Sequence, residues 1–265
     1  MPTFLTLGRK KVILGLIHLL PLPGTPFFVA GNLEKALDKA VADATALYEG
    51  GADGCLVQTV DRIYPLGQEV DYARLAAMAR IVAAVEQAVG AEFQIGVQIL
   101  WNALNAALAV AKVCGGSFLR CNAFVGATMT PAGVAESNII DFLNYRKQLS
   151  AQNIKLIAEV DSMHFQWMGG KPAPEVARLA AHAGADAVEI AYRDEDTNAQ
   201  AVLAIKEANP KLPVILGGYT NHENAARRLA HADGAFVGSC FEICGWGSRV
   251  DKQRVAAYME IVAKL

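Results

Sequence analysis

Hydrophobic positions along the chain fall into two alternating kinds of stretch. One is a continuous apolar run of strand length, found at 12–18, 53–58, 94–99, 117–122, 154–161, 185–190, 212–217 and 234–238. The other is a longer Ala- and Leu-rich segment with charges at helical spacing, found at 33–49, 69–89, 102–113, 137–151, 174–183, 197–208, 222–230 and 249–264. Short runs without polar alternation read as strands covered on both faces, and the intervening segments read as the helices that cover them. Strict strand–helix alternation predicts parallel strands joined by right-handed crossovers.

A repeated junction supports this count. Gly50-Gly51-Ala52-Asp53-Gly54, Ala183-Gly184-Ala185-Asp186-Ala187 and His231-Ala232-Asp233-Gly234-Ala235 share one pattern, with a weaker copy at Gly115-Gly116-Ser117. Each passes from helix to strand within a few residues. In the first two and the weaker copy, glycine can supply the left-handed cap that stops the helix. These tight turns would form one rim, and the longer, more polar strand-to-helix loops the other. Eight such units without a linker point to an α/β fold, a (β/α)8 TIM barrel forming a single domain over 1–265. An open doubly wound sheet would carry a glycine-rich turn after its first strand, where this chain has Pro21-Leu22-Pro23-Gly24-Thr25-Pro26.

In a barrel of this kind the chemistry gathers at the carboxyl ends of the strands. The polar residues there are His18, Gln58, Gln98, Arg120, Asn122, Glu159, Asp161 and Glu189. Arg120/Asn122 and Glu159/Asp161 are spaced by two, so each pair is expected on one face, with Arg120 and Asp161 meeting inside the mouth. Burying a carboxylate unpaired costs several kcal/mol, so these groups imply a polar pocket. For Glu189, an inward ion pair that only fills the barrel is the competing reading. The fifth strand runs on into Asp161-Ser162-Met163-His164. Glu159, Asp161 and His164, with His18, are candidates for acid/base catalysis. Asp161 and His164 are equally candidate ligands of a divalent metal, and plain structural pairing is the third alternative. Gln58, Gln98, Asn102, Arg120, Asn122 and Glu189 are candidate substrate contacts. The last two strands end in Gly217-Gly218 and Gly238-Ser239, small residues whose backbone N–H groups suit a phosphate. The run Thr220-Asn221-His222-Glu223-Asn224 can also serve as a helix cap. No lysine stands inside a strand, which argues against a Schiff-base aldolase.

Composition narrows the partners. The 265 residues are 53% hydrophobic and 19% charged, with net charge −2. Basic clusters interleaved with aromatics are absent, so nucleic acid is not expected. No apolar run is long enough to span a membrane, and the first eleven residues lack signal-peptide order. The five scattered cysteines form no CxxC pair. A cytoplasmic, homo-oligomeric protein acting on a small metabolite is the expectation.

The motifs IHLLPLPGTP, GGADG, GVQILWNALNAALAVA, FLRCNAFVGA, AEVDSMH, PVILGGYTNHENA and DGAFVGS, in this order, resemble the BtpA/SgcQ family over nearly the whole chain. The resemblance implies a TIM barrel. One branch is associated with photosystem I biogenesis, which would place the protein at a membrane periphery, and another with sugar and phosphosugar use. His18, Asn102, Arg120, Asn122, His164 and the Gly217-Gly218 turn fit the family pattern. Four motifs depart from it, at six positions. Where the family often has Val-Glu-Asn, this chain has Val57-Gln58-Thr59; Arg-Asn-Asp is replaced by Trp101-Asn102-Ala103. A Lys-His pair becomes Met163-His164, and a lysine after the eighth strand becomes Glu242. The expected function is acid/base chemistry on a sugar phosphate at the carboxyl rim, with a non-catalytic assembly factor as the alternative.

Overall fold

Apolar strands with no polar face must find hydrogen-bond partners on both edges, and a closed barrel gives every strand two. A computed structural model describes residues 11–265. The signal-peptide reading of the first eleven residues therefore lies outside the described residues, except at Lys11. The chain runs β1 (Val12–His18), α1 (Asn32–Glu49), β2 (Gly54–Gln58), α2 (Tyr72–Ala88), β3 (Gln94–Gln98) and α3 (Leu104–Val113). It continues through β4 (Phe118–Cys121), β5 (Ala127–Thr130), β6 (Gly133–Glu136), α4 (Ile139–Gln148), β7 (Lys155–Asp161) and α5 (Ala173–His182). It ends with β8 (Ala187–Ile190), α6 (Glu195–Ala208), β9 (Val214–Leu216), α7 (Ala225–Leu229), β10 (Gly234–Val237) and α8 (Lys252–Val262). Strands β1, β2, β3, β4, β7, β8, β9 and β10 pair in that order, all parallel, and β10 closes on β1. The expected eight-stranded barrel is therefore the fold.

Two local features depart from the pattern reading. Strands β5 and β6 form an antiparallel hairpin in the loop between β4 and α4. Thr128 and Ala135 point inward from it while Met129 and Val134 stay exposed, a period of two that is too short to register as a strand signal. Helix α7 is shorter than 222–230 because the asparagines fold the chain into a turn first. Asn221 Oδ1 accepts from the N–H groups of Glu223 and Asn224, and Asn224 Nδ2 donates to Tyr219 O.

The repeated junctions have a common mechanism. Gly51, Gly115 and Gly184 end their helices at φ 87°, 78° and 106°, in the left-handed region where a Cβ is penalised. The residue that follows then caps the neighbouring strand. Asp53 accepts from the Ile13 N–H at 2.8 Å, Asp186 from Leu156 at 3.0 Å, Asp233 from Val214 at 2.9 Å, and Ser117 from Ile95 at 3.2 Å. Asp186 and Asp233 also hold Lys155 and Lys206 at 2.9 and 2.7 Å. His18 lies at the opposite end of its strand from these caps.

Replacing Asp186 by Ala removes the acceptor shared by Lys155, Arg146 and the Leu156 N–H. We expect a loss of about 1–3 kcal/mol in urea unfolding, with the far-ultraviolet circular dichroism of the folded protein unchanged.

Candidate functional site at the carboxyl rim

Alternation aims every second strand residue at the barrel axis. The lower interior is an apolar plug that includes Leu14, Leu56, Phe118, Ile157, Ala187, Ile215 and Phe236. Two residues further along the strands the character switches. Leu56, Phe118, Ile157 and Ala187 are followed on the same face by Gln58, Arg120, Glu159 and Glu189, while Ile215 and Phe236 are followed by Gly217 and Gly238. Apolar packing therefore stops one layer below the rim, and a polar layer sits on top of it.

Arg120 organises that layer. Its Nε and Nη2 donate to the two oxygens of Glu189 at 2.6 and 2.5 Å, and Nη2 lies 3.9 Å from Glu159. Nη1 reaches Gln58 and Gln98 at 3.4 and 3.5 Å, and the guanidinium stands 5.2 Å above the Phe236 ring. Glu159 is held further by Asn122 Nδ2 at 2.6 Å and by the Ser162 hydroxyl, and Asn122 accepts from Gln98 at 2.6 Å. Glu159 and Glu189 are fully buried. Burial drives both carboxyls up against the opposing pull of Arg120, and Glu189 reaches about 7. Two carboxyls around one cation leave the cluster poised to hold a proton near neutrality. Arg120 itself is pushed up, because Glu189 and Glu159 outweigh the burial that disfavours its charge.

Above this floor opens a cavity of about 820 Å3. Arg120, Asn122, Gln58 and His164 line it together with His18, Gly217, Gly218, Gly238 and Ser239, His18 standing beside Gly238, with Tyr64, Trp101, Tyr219 and Trp246 at the mouth. The Ser162 hydroxyl accepts from the His164 and Phe165 N–H groups at 2.7 and 3.1 Å. That turn brings His164 to the rim, where it meets the Trp101 ring edge-on at 6.2 Å. Burial on its inner side and the Arg120 charge hold His164 below the usual imidazole range, with Glu189 opposing. His18, on the far wall, places Nδ1 3.0 Å from Glu242, and Trp246 lies against its ring at 5.1 Å. Among the described residues, the N–H groups of Gly218 and Ser239 find no protein acceptor. The Gly217 N–H is taken by Ile190 O at 2.8 Å.

A model of the BtpA family matches residues 9–264. The chain belongs to the BtpA family. It is 30% identical over all of its length to the photosystem I biogenesis protein BtpA of Synechocystis sp., covering 92% of that protein. It is 27% identical to the putative sgc region protein SgcQ of Escherichia coli over 97% of this chain and 96% of that one. Solved structures share the barrel. Thiamine phosphate pyrophosphorylase from Pyrococcus furiosus superposes with TM-score 0.59 at 18% identity, covering 97% of this chain and 98% of that one. N-(5'-phosphoribosyl)anthranilate isomerase from the same organism superposes with TM-score 0.55 at 13% identity, covering 96% and 100%.

The structure sorts the candidates of this family member into three groups. Nine line the cavity: His18, Gln58, Arg120, Asn122, His164, Gly217, Gly218, Gly238 and Ser239. Glu159, Glu189 and Gln98 lie beneath it and hold its floor. Asn102 and Asp161 stand apart. Asn102 is a staple: Nδ2 donates to Ala123 O, Glu136 O and Ser137 Oγ at 2.9, 3.1 and 2.7 Å, which ties the end of the β5–β6 hairpin to the barrel. Asp161 does not meet Arg120, contrary to expectation. The register of β7 against β8 slips between Glu159 and Asp161, so strict alternation ends there, and Asp161 accepts the Tyr192 hydroxyl instead. Among the described residues no three His, Cys, Asp or Glu side chains gather as a metal-binding set. Glu242 does not face the ligand space as a repelling charge, because it turns back onto His18. Sequence reading missed this contact, along with the aromatic mouth; Gly245-Trp246-Gly247 was the available signal, an indole between two residues at φ 88° and 83°.

Arg120→Met alone leaves two buried carboxyls without their cation and should cost about 3–5 kcal/mol in denaturant unfolding. Adding Glu189→Leu should restore much of that loss; an additive double mutant would contradict the pairing. Glu189 is raised in the folded chain from 4.5 to about 7, so its contribution to stability is full below pH 4.5 and disappears as pH rises through 7. Glu189→Gln should therefore remove a decline in melting temperature across that window.

Proposed function

We propose that the chain is an enzyme that binds a small phosphorylated metabolite, of the sugar phosphate class, and moves a proton on it. The observation that carries this reading is the meeting, in one cavity, of unsatisfied N–H groups at Gly218 and Ser239 with the side chains of His18, His164, Arg120 and Asn122. Backbone donors on small residues fit a phosphate dianion, which needs close approach and several N–H groups. Arg120 and Asn122, fixed from below, orient the rest of the molecule, and the two imidazoles supply acid and base. Among the described residues that line the cavity there is no lysine. The names of two solved structures with this fold, a thiamine phosphate pyrophosphorylase and a phosphoribosylanthranilate isomerase, also involve phosphorylated compounds.

A second reading, an assembly factor like the BtpA protein of Synechocystis, has one observation in its favour. Ile63, Met129, Met163, Met168, Ile243 and Trp246 are large apolar side chains left exposed on the carboxyl-rim loops. No helix among the described residues is long and apolar enough to cross a membrane.

Calorimetric titration with inorganic phosphate and a panel of sugar phosphates tests the first reading. Ser239→Asp, which sets a carboxylate among the phosphate donors, should weaken binding at least about tenfold, or about 1.4 kcal/mol. Equal binding by both proteins would remove phosphate from this end of the barrel.

A further inference from the structure

We propose that Glu242 is the positioning residue of a carboxylate–imidazole pair that makes Nε2 of His18 the proton-accepting atom of the cavity. This deepens the proton-transfer reading above and rests on it. His18 closes β1 on the inward face and is 6% exposed, and Glu242 is 1% exposed. Their contact, Nδ1 to Oε1 at 3.0 Å, joins the first barrel strand to the segment after the last.

Every other contact of the Glu242 carboxyl is also with a donor: the Gly247 N–H lies 3.1 and 3.0 Å from its two oxygens. A group surrounded only by donors acts as the carboxylate, and it requires the proton of His18 to sit on Nδ1. In the neutral ring Nε2 then carries the lone pair. Among the described residues Nε2 has no protein partner, while His18 lines the cavity.

The carboxylate is held firmly. Its own carbonyl accepts from Arg254 Nη1 at 2.6 Å, and its backbone pairs with Val250, whose N–H donates to Asp43 at 2.9 Å. Trp246 covers one face of the imidazole. A side chain that served only to fasten this segment would have no need to select one nitrogen of a ring facing the ligand space.

The step is a plain proton transfer. The Nε2 lone pair takes a proton from a C–H or O–H of the substrate, the bonding pair stays on the substrate, and the ring becomes an imidazolium whose charge the Glu242 carboxylate offsets. Return of the proton from Nε2 restores both groups. Location narrows the choice of proton. A Cβ at Gly238 would lie 3.3 Å from His18 Cε1, so the ring borders the Gly238-Ser239 turn. The proton that His18 takes therefore belongs to an atom near the phosphate end of the substrate, and His164, beside Trp101, serves the far end. The other charged groups on the walls around His18 are Asp61 and Arg62, which line a smaller cavity sharing His18 and Trp246, and Arg120 across the main cavity.

Nitrogen-15 NMR of the His18 ring in the ligand-free full chain, assigned with His18→Gln, tests this directly. The neutral ring should be the Nδ1–H tautomer in the wild type. Glu242→Gln keeps an acceptor and the shape but removes the charge, and should lower the proton affinity of His18 about tenfold. Glu242→Ala should also free the tautomer. Should the alanine variant fail to fold, the isosteric glutamine variant still decides. A wild-type ring protonated on Nε2, or the same titration midpoint with and without the Glu242 charge, would overturn the pair and leave a mere fastening. Phosphate titration separates this from the function proposed above. Wild-type protein that ignores phosphate would overturn the substrate class while the ring tautomer stands or falls by its own measurement.

Discussion

One guanidinium between two buried carboxyls governs the upper half of this barrel. Arg120 cannot be left inside without Glu189, Glu159 cannot be left ionised without Arg120, and Gln58, Gln98, Asn122 and Ser162 supply the donors and acceptors that the three charges still need. A cluster of this kind is weak as a source of stability, since apolar side chains of equal volume would serve the fold as well or better. Its use is to present a fixed cation edge and a fixed amide to the cavity above. The apolar plug centred on Phe118 and Phe236 holds the fold, and the cluster converts that plug into a polar floor.

The two rims divide the work accordingly. At the amino rim, Asp53, Asp186, Asp233 and Ser117 each bond an amide in the first two residues of a neighbouring strand, which fixes the register there. At the carboxyl rim, the segments after β2, β3, β4, β7, β9 and β10 each carry a side chain or a turn that faces the cavity. The chain spends its longer loops there, including the β5–β6 hairpin that Asn102 pins in place. Several of the residues that depart from the family motifs named above stand at this rim. Gln58, Trp101 and Met163 line the cavity, and Glu242 lies one contact behind it.

Much of this was legible in the order of residues. The apolar runs and the repeated Ala-Asp turns give the barrel, because period and turn chemistry are local properties. Alternation places Gln58, Arg120, Glu159 and Glu189 on the inward face, because a strand offers only two sides. Alternation also misplaces Asp161, since a one-residue slip between β7 and β8 depends on the neighbouring strand and leaves no mark in its own sequence. The partner of Arg120 was equally out of reach. Glu159, Asp161 and Glu189 are all spaced to face the axis, and only the fold decides which two sit beside the guanidinium. The contact between His18 and Glu242 spans nearly the whole chain, so no local pattern could announce it.

Gly217 shows how closely the two halves of the site are bound together. A Cβ at that position would stand 1.9 Å from Glu189 Oε1, so the absence of a side chain there is what leaves room for the carboxylate. The same residue opens the turn whose next amide faces the cavity. The charge cluster and the glycine turn are therefore one steric unit, in which a side chain at Gly217 would displace the Glu189 carboxylate and with it the partner of Arg120. The aromatic side chains at the mouth carry no such constraint and can change without touching the floor.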